Sequence, residues 1–402
     1  MEDQIFIEIP VTPKKSFIKV IGVGGGGGNA VSRMSQENMY DVSFLVCNSD
    51  AQALHASPIA NKLQIGPGLG CGGNPLLGKQ YAEEALAEIY DSVEPEILMA
   101  FVTAGMGGGT GTGAAPVVAR EMKARNILTI GVVTLPFQFE GKKNIDKALD
   151  GMERMAQEVD SLLVINNERM RSVYAVKSVV DAFKFADNVL TLAVKSIIDI
   201  IKMHGVVNLD FNDVQMVLRD GGVSIISMGY ARGEKRISKA IQNALNSPLL
   251  NNNNIFNARK MVMCITFSDE HDGLMMEELE EVSQFMGQFK DVDLESKYGL
   301  AIDESLADEV KVTILASGFN LYNDSAPQVD KEEANVGEQI KRTERMEQFY
   351  GETARPKKIA NAVFIYDVAD FDNEEILYRV DTTVTAHRTY EQLNQIKSFK
   401  TT

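Results

Sequence analysis

From Ile18 to about Leu163, short apolar runs alternate with longer stretches of helical spacing. Residues 17–23, 42–46, 97–104, 128–134 and 161–165 are rich in Val, Ile, Leu and Phe at successive positions, which predicts strands buried on both faces. Strands of that kind alternating with helices predict an α/β fold built on a doubly wound parallel sheet. Residues 178–204 then carry apolar side chains on nearly every helical face (Val179, Val180, Phe183, Phe185, Val189, Leu190, Leu192, Ile197, Ile198, Ile200, Ile201) and stop at Gly205. This pattern predicts one long buried helix lying between two domains. Beyond it, residues 223–227, 260–267 and 310–316 read as strands, and residues 235–246 and 275–286 as helices, giving a second, smaller α/β domain.

Composition narrows the picture in three ways. After about residue 320, Asp, Glu, Lys, Gln and Asn dominate through residue 358, as in a flexible charged linker; the runs 362–368 and 376–380 are apolar enough to dock or to form a short element. A formal net charge of −16 argues against a general nucleic-acid binder and favours divalent cations as partners. Cys47, Cys71 and Cys264 have no metal-ligand spacing and no disulfide framework. With neither a signal-like start nor a stretch of membrane-spanning length, the expectation is a soluble cytoplasmic protein.

The candidate chemistry lies in two glycine runs, each straight after a predicted strand: Gly24, Gly25, Gly26, Gly27, Gly28 and Asn29, then Gly107, Gly108, Gly109, Thr110, Gly111, Thr112 and Gly113. Helical patterns follow over residues 29–34 and 114–122. A glycine turn between a strand and a helix N-terminus is an anion site, because unpaired N–H groups and the helix dipole face one point and no Cβ stands in the way. No P-loop lysine follows either run, so phosphate charge must be met by backbone N–H groups and a bound Mg²⁺. Further glycine turns at residues 70–75 and 139–143 favour a nucleoside triphosphate. The rival is a dinucleotide site, since Gly22, Gly24 and Gly27 fit its fingerprint and Asp50 ends the next strand.

A second constellation, Asn208, Asp210 and Asp213, follows the long helix. If a helix starts near Asp210, the two aspartates share a face. They then act as a plain N-terminal cap, or they polarise a water and hold a cation beside a phosphate.

Residues 105–116 (Gly-Met-Gly-Gly-Gly-Thr-Gly-Thr-Gly-Ala-Ala-Pro) resemble the signature loop of the tubulin/FtsZ GTPase family, and residues 20–31, 48–54, 136–143 and 208–214 match the same family in order, so the resemblance covers about residues 19–318. It implies a GTPase that assembles head to tail into the filaments of the cell-division ring at mid-cell. GTP or GDP and Mg²⁺ would be held by one subunit and the site completed by the next. Carried over by residue, Gly24 to Asn29, Gly73, Asn74 and the run from Gly107 to Gly113 would cradle phosphate, and Glu140 and Asn167 would hold the ribose. Phe183 would stack on guanine, and Asp187 would accept its N1 and N2 hydrogens; without the family, Phe183 reads as core and Asp187 as a solvated helix position. Asn208, Asp210 and Asp213 would enter the neighbour's site, where the aspartates activate water.

Together these patterns divide the chain into an N-terminal extension (1–16), a nucleotide-binding domain (17–177), a central helix (178–205), a C-terminal activation domain (206–319) and a linker with tail (320–402). Several residues depart from the family. Asn144 stands where an arginine usually reaches the phosphates, with Lys142 or Lys143 as the candidate substitute. Cys71 and Gly73 replace small alanines, and Ser49 replaces a threonine. Residues 398–402 do not match the short tail peptide that docks on membrane-linked adaptors, so residues 363–368 or 376–380 either serve that contact or form a small structured cap, and the membrane is approached only indirectly. Asn144 also motivates a third reading, a nucleotide-binding filament with impaired hydrolysis.

Overall fold

The computed structural model describes residues 16–37, 39, 41–169, 178–247, 255–270, 273–289, 294–319, 321 and 345–350, with single positions 376, 380 and 396. Residues 1–328 and 329–402 form two compact units.

In the first unit the expected parallel sheet forms. Strands β1 (Ile18–Val23), β2 (Val42–Asn48), β4 (Met99–Gly105), β5 (Leu128–Leu135) and β6 (Ser161–Asn166) pair in parallel, with the three-residue β3 (Lys62–Gln64) on the edge beyond β2. Every residue of β1, β5 and β6 is buried, which is why these strands read as unbroken apolar runs. The sheet continues through β8 (Gly222–Arg232), β11 (Glu309–Phe319), β9 (Lys260–Phe267), β10 (Glu295–Ile302) and β7 (Gly205–Val207), so eleven strands make one sheet in the order β3-β2-β1-β4-β5-β6-β8-β11-β9-β10-β7. The seam is the short parallel pairing of Ser161–Leu163 with Gly222–Ser224, where the buried Ser161 and Ser224 hydroxyls hydrogen-bond.

Helix α1 (Gly24–Met34) and the long α7 (Val179–Lys202) cover one face of this sheet. Val189, Val194, Ile197 and Ile198 of α7 join Ile18, Phe101 and Ile130 on one side to Val262, Cys264 and Leu315 on the other in a single core. A helix with apolar residues all round is what such a double contact requires, although Phe183 and Leu192 remain exposed. Helices α3 (Pro75–Glu84), α5 (Thr110–Ala124) and α6 (Lys142–Glu158) pack together, and α9 (Arg236–Leu245) and α10 (Glu278–Met286) pack with Ile225, Met263 and Ile265 in a separate core.

Both glycine-led helices begin earlier than their apolar pattern suggests: α1 starts at Gly24 rather than Asn29, and α5 at Thr110 rather than Ala114. Glycine carries no helix signal of its own, so the first turns were hidden inside the glycine runs. In the second unit, positions 345–350 are helical, with Met346, Phe349 and Tyr350 buried at helical spacing, which corrects the expectation of a featureless linker through residue 358. Positions 376 and 380 are helical as well. Residues 363–368 and most of the tail lie outside the described residues.

Candidate functional site: a glycine cradle and a distant carboxylate turn

Strand directions place the two candidate constellations at opposite ends of the sheet. The glycine runs follow the C-terminal ends of β1 and β4. Because β8 is parallel to β6, β11 antiparallel to β8, β9 antiparallel to β11, β10 parallel to β9 and β7 antiparallel to β10, β7 runs against β1 and ends where β1 begins. Helix α8 (Phe211–Leu218) starts at that lower end, and its Phe211 ring meets Phe17, the residue just before β1, edge to face at 6.3 Å. Six strand residues, roughly 20 Å at about 3.3 Å per residue, separate Phe17 from Gly24. A single chain therefore does not bring Asn208, Asp210 and Asp213 to the glycine cradle.

At the upper end four loops interlock through their glycines. A Cβ on Gly24 (φ +73°) would lie 2.7 Å from the Gly111 nitrogen, and one on Gly109 would lie 2.6 Å from Cys71 Cβ and 2.9 Å from the Asn74 nitrogen. Gly107 (φ +105°) would meet the Asn144 carbonyl at 3.0 Å. Gly27, Gly111 and Gly113 are likewise blocked by backbone, and a Cβ on the exposed Gly26 would stand 3.2 Å from Gly105 Cα, whereas a Cβ on Gly25, Gly72 or Gly108 would point into open space, and all three are exposed. The runs thus divide into glycines that let loops touch and glycines that leave a cleft bare. Below the cleft, the Ser49, Cys71 and Thr110 side chains are joined by hydrogen bonds, Ser49 Oγ lying 2.6 Å from Thr110 Oγ1. Cys47, Cys71 and Cys264 are all buried and unpaired, and burial pushes the Cys47 thiol up to about 12.

The helix starts around the cleft are open. Neither α1, α5 nor α6 has a side chain capping its first turn, and none has an acidic residue there. Their free N–H groups and positive dipole ends suit an anion. Helix α3 differs, since Asn74 Oδ1 accepts from the Leu76 N–H. The Gly107 N–H donates to Thr112 Oγ1 at 2.9 Å, so that donor is spent inside the loop.

The rim beyond the cleft gathers the remaining predicted residues. Glu140 Oε1 accepts from the Phe137 N–H at 2.8 Å, and Asn144 Nδ2 donates to the Glu140 carbonyl at 3.0 Å, turning the Asn144 amide onto its own turn. The Gln138 N–H donates to Glu168, which ties this turn to the chain leaving β6, where Asn167 is buried with its Oδ1 unpartnered among the described residues. Phe183 packs edge to face on Phe137 (5.3 Å) and Phe139 (6.4 Å), which stack on each other, and it is 42% exposed rather than core. One turn further along α7, burial pushes the Asp187 carboxyl up to about 6 against the pull of Arg33, whose guanidinium also donates to the Lys184 carbonyl.

At the lower end, the cap geometry expected of Asp210 and Asp213 is present. Asp210 Oδ1 accepts from the Asp213 N–H and Asp213 Oδ2 from the Asp210 N–H, both at 3.0 Å, a reciprocal capping box. Asn208 Oδ1 accepts from the Gly205 N–H at 2.8 Å, and Lys297 Nζ lies 3.8 Å from Asp213 Oδ1. Asp50, the acid a dinucleotide site would need, caps α2 (Ala51–Ala56) with its Oδ1, which accepts from the Gln52 and Ala53 N–H groups.

Comparison with known proteins decides between the triphosphate and dinucleotide readings. Residues 17–175 match the model of the Tubulin/FtsZ family GTPase domain, and residues 222–320 match the FtsZ family C-terminal domain. The chain belongs to the tubulin/FtsZ family of GTPases. Within that family it is 40% identical to the cell division protein FtsZ of Porphyromonas gingivalis, over 95% of this chain and 88% of that one. Among solved structures it is similar to an empty dimer of M. jannaschii FtsZ (35% identity, 79% of this chain and 96% of that one, TM-score 0.67). A mutant of the same protein is also similar (39% identity, 76% and 91%, TM-score 0.68). The residues present fit a nucleoside phosphate: bare backbone at Gly25 and Gly108, three uncapped helix starts, and an unsatisfied buried acceptor at Asn167.

Two further residues join the rim. Lys147 of α6 donates to the Gly73 carbonyl, and Arg33 of α1 faces Asp187. Lys147 was findable, since it lies one helical turn beyond Asn144; Arg33 becomes a neighbour only through the packing of α1 on α7.

Proposed function

We propose that this GTPase builds the filaments of the cell-division ring by stacking head to tail, each subunit's Asn208–Asp213 turn completing the next subunit's glycine cradle. The observation carrying this reading is the placement of the two half-sites at opposite ends of one sheet. Gly25, Gly26, Gly72, Gly108 and the free N–H groups of α1 and α5 hold the phosphates, with Gly73 and Asn74 on the rim. Glu140 and Asn167 accept from the ribose. The Phe183 ring stacks on guanine, and the ionised Asp187 accepts two N–H groups that adenine does not offer in that pattern.

Among the described residues no cluster of His, Cys, Asp or Glu could hold a metal, so Mg²⁺ would be carried mainly by phosphate oxygens and water. It would offset charge developing on the transferred phosphoryl group. The capping box fixes Asp210 and Asp213 in orientation, so that on stacking they present acceptor oxygens to the attacking water as general base and orienter. No helix among the described residues is long and apolar enough to cross a membrane; recruitment to the division site is assigned to adaptor proteins gripping the tail.

The test is phosphate release from full-length protein with GTP and Mg²⁺ over a range of protein concentrations. Specific activity that rises only above a threshold supports a site shared between subunits. Activity independent of concentration overturns it. Nucleotide binding and filaments without release would favour the filament with impaired hydrolysis, the reading Asn144 raises.

A further inference from the structure

No residue of 24–29, 70–74 or 105–113 carries a positive side chain. A bound triphosphate brings several negative charges, while each helix start offers only about half a unit of positive charge. Asn144 supplies none, being a neutral amide, and its Nδ2 donates to the Glu140 carbonyl. On the same face of α6, three residues on, Lys147 reaches across to donate to the Gly73 carbonyl, and its Nζ lies 3.7 Å from where a Gly73 Cβ would stand. That loop already closes on itself through the Asn74 N–H to Cys71 carbonyl bond at 2.9 Å, so holding a long side chain on one neutral carbonyl returns little for its lost rotamer freedom. An ammonium has three donors, and one is used on Gly73. Helix α6 also opens with Lys142 and Lys143, both exposed, at the end of the helix where cations are disfavoured unless an anion is near.

We propose that Lys147 is the cation of the phosphate cradle: it positions the loop through Gly73 and supplies the positive charge that triphosphate binding needs beside Asn144. This rests on the nucleotide-site reading above. The test measures binding of a fluorescent GTP analogue to full-length protein kept below its assembly threshold, for wild type, Lys147→Gln, Lys147→Arg and the double variant Lys147→Gln with Asn144→Arg, with thermal unfolding alongside.

Lys147→Gln should bind roughly ten- to a hundredfold more weakly, with a shallower dependence on salt. Lys147→Arg should stay close to wild type, and Asn144→Arg should recover much of the loss by returning a cation to the same helix face without the Gly73 contact. Wild-type-like binding by Lys147→Gln, or a folded double variant showing no recovery, overturns the proposal. If wild type itself fails to bind, the nucleotide-site reading falls instead.

Discussion

Helices α1 and α8 leave the sheet at opposite ends and treat their first turns in opposite ways. Helix α1 opens on Gly24–Gly28 with no side-chain cap and no acid, so its N–H groups stay available. Helix α8 opens on Asp210 and Asp213, which satisfy each other's N–H groups within a single turn. The same unsatisfied donors of a helix start are kept for a visiting anion in one place and covered by the chain's own carboxylates in the other. A surface of bare donors at one end and fixed acceptors at the other is complementary to itself only when copies are stacked.

The contrast can be broken from either side. Asp213→Ala should lower GTP turnover by about 10²–10⁴-fold, as for loss of a group that moves a proton, while binding of labelled GTP is retained; unchanged phosphate release would remove Asp213 from the reaction. On the glycine side, the two kinds of position should separate. Gly27→Ala forces a Cβ into the Thr103 carbonyl and should cost about 3 kcal/mol in urea unfolding. Gly25→Ala meets nothing within 4 Å, so stability should stay within about 1 kcal/mol of wild type while GTP affinity falls about tenfold, equivalent to roughly 1.4 kcal/mol. Equal stability of the two variants would show that the blocked and open glycines do not differ as described.

A finer probe is pH. On the proposed reading Asp187 is ionised when it accepts from guanine, and burial raises its folded carboxyl from 3.8 to about 6. GTP affinity should therefore weaken as pH drops through about 6. Because the folded pKa is raised, the nucleotide-free fold gains stability over the same fall, down to the unfolded value. Both trends should vanish in Asp187→Asn, followed by nucleotide titration and thermal unfolding between pH 5 and 8. The smallest effect is local: Asp210→Ala should lower fold stability by about 1 kcal/mol through the lost cap, measured in the same unfolding assay.

What could be read from the sequence follows what each residue contributes to burial. Strands β1, β4, β5, β6 and β9 declare themselves because they are buried on both faces. Strand β10 does not, since Glu295, Ser296, Lys297 and Tyr298 are exposed and only its second half is apolar; β3 and β7 are three residues each, too short for a pattern. The glycine runs announce an anion site, yet which of their glycines touch another loop and which face the cleft depends on the meeting of four chain segments. Phe183 illustrates the ambiguity of an apolar helix, where a ring at core spacing proves to be half exposed beside Phe137 and Phe139.

Returning to β7 running against β1, a row of subunits joined through these ends has one fewer junction than members, and its two tips are chemically unlike. On the proposed head-to-tail reading, one tip shows a loaded cradle that no neighbour's aspartates reach, and the other shows aspartates with nothing to act on. Such a contact does not close on itself as a two-fold pair does. The last nucleotide at one tip would then be spared from cleavage for as long as it remains last, so each filament would carry a protected end whose lifetime is set by the arrival of the next subunit.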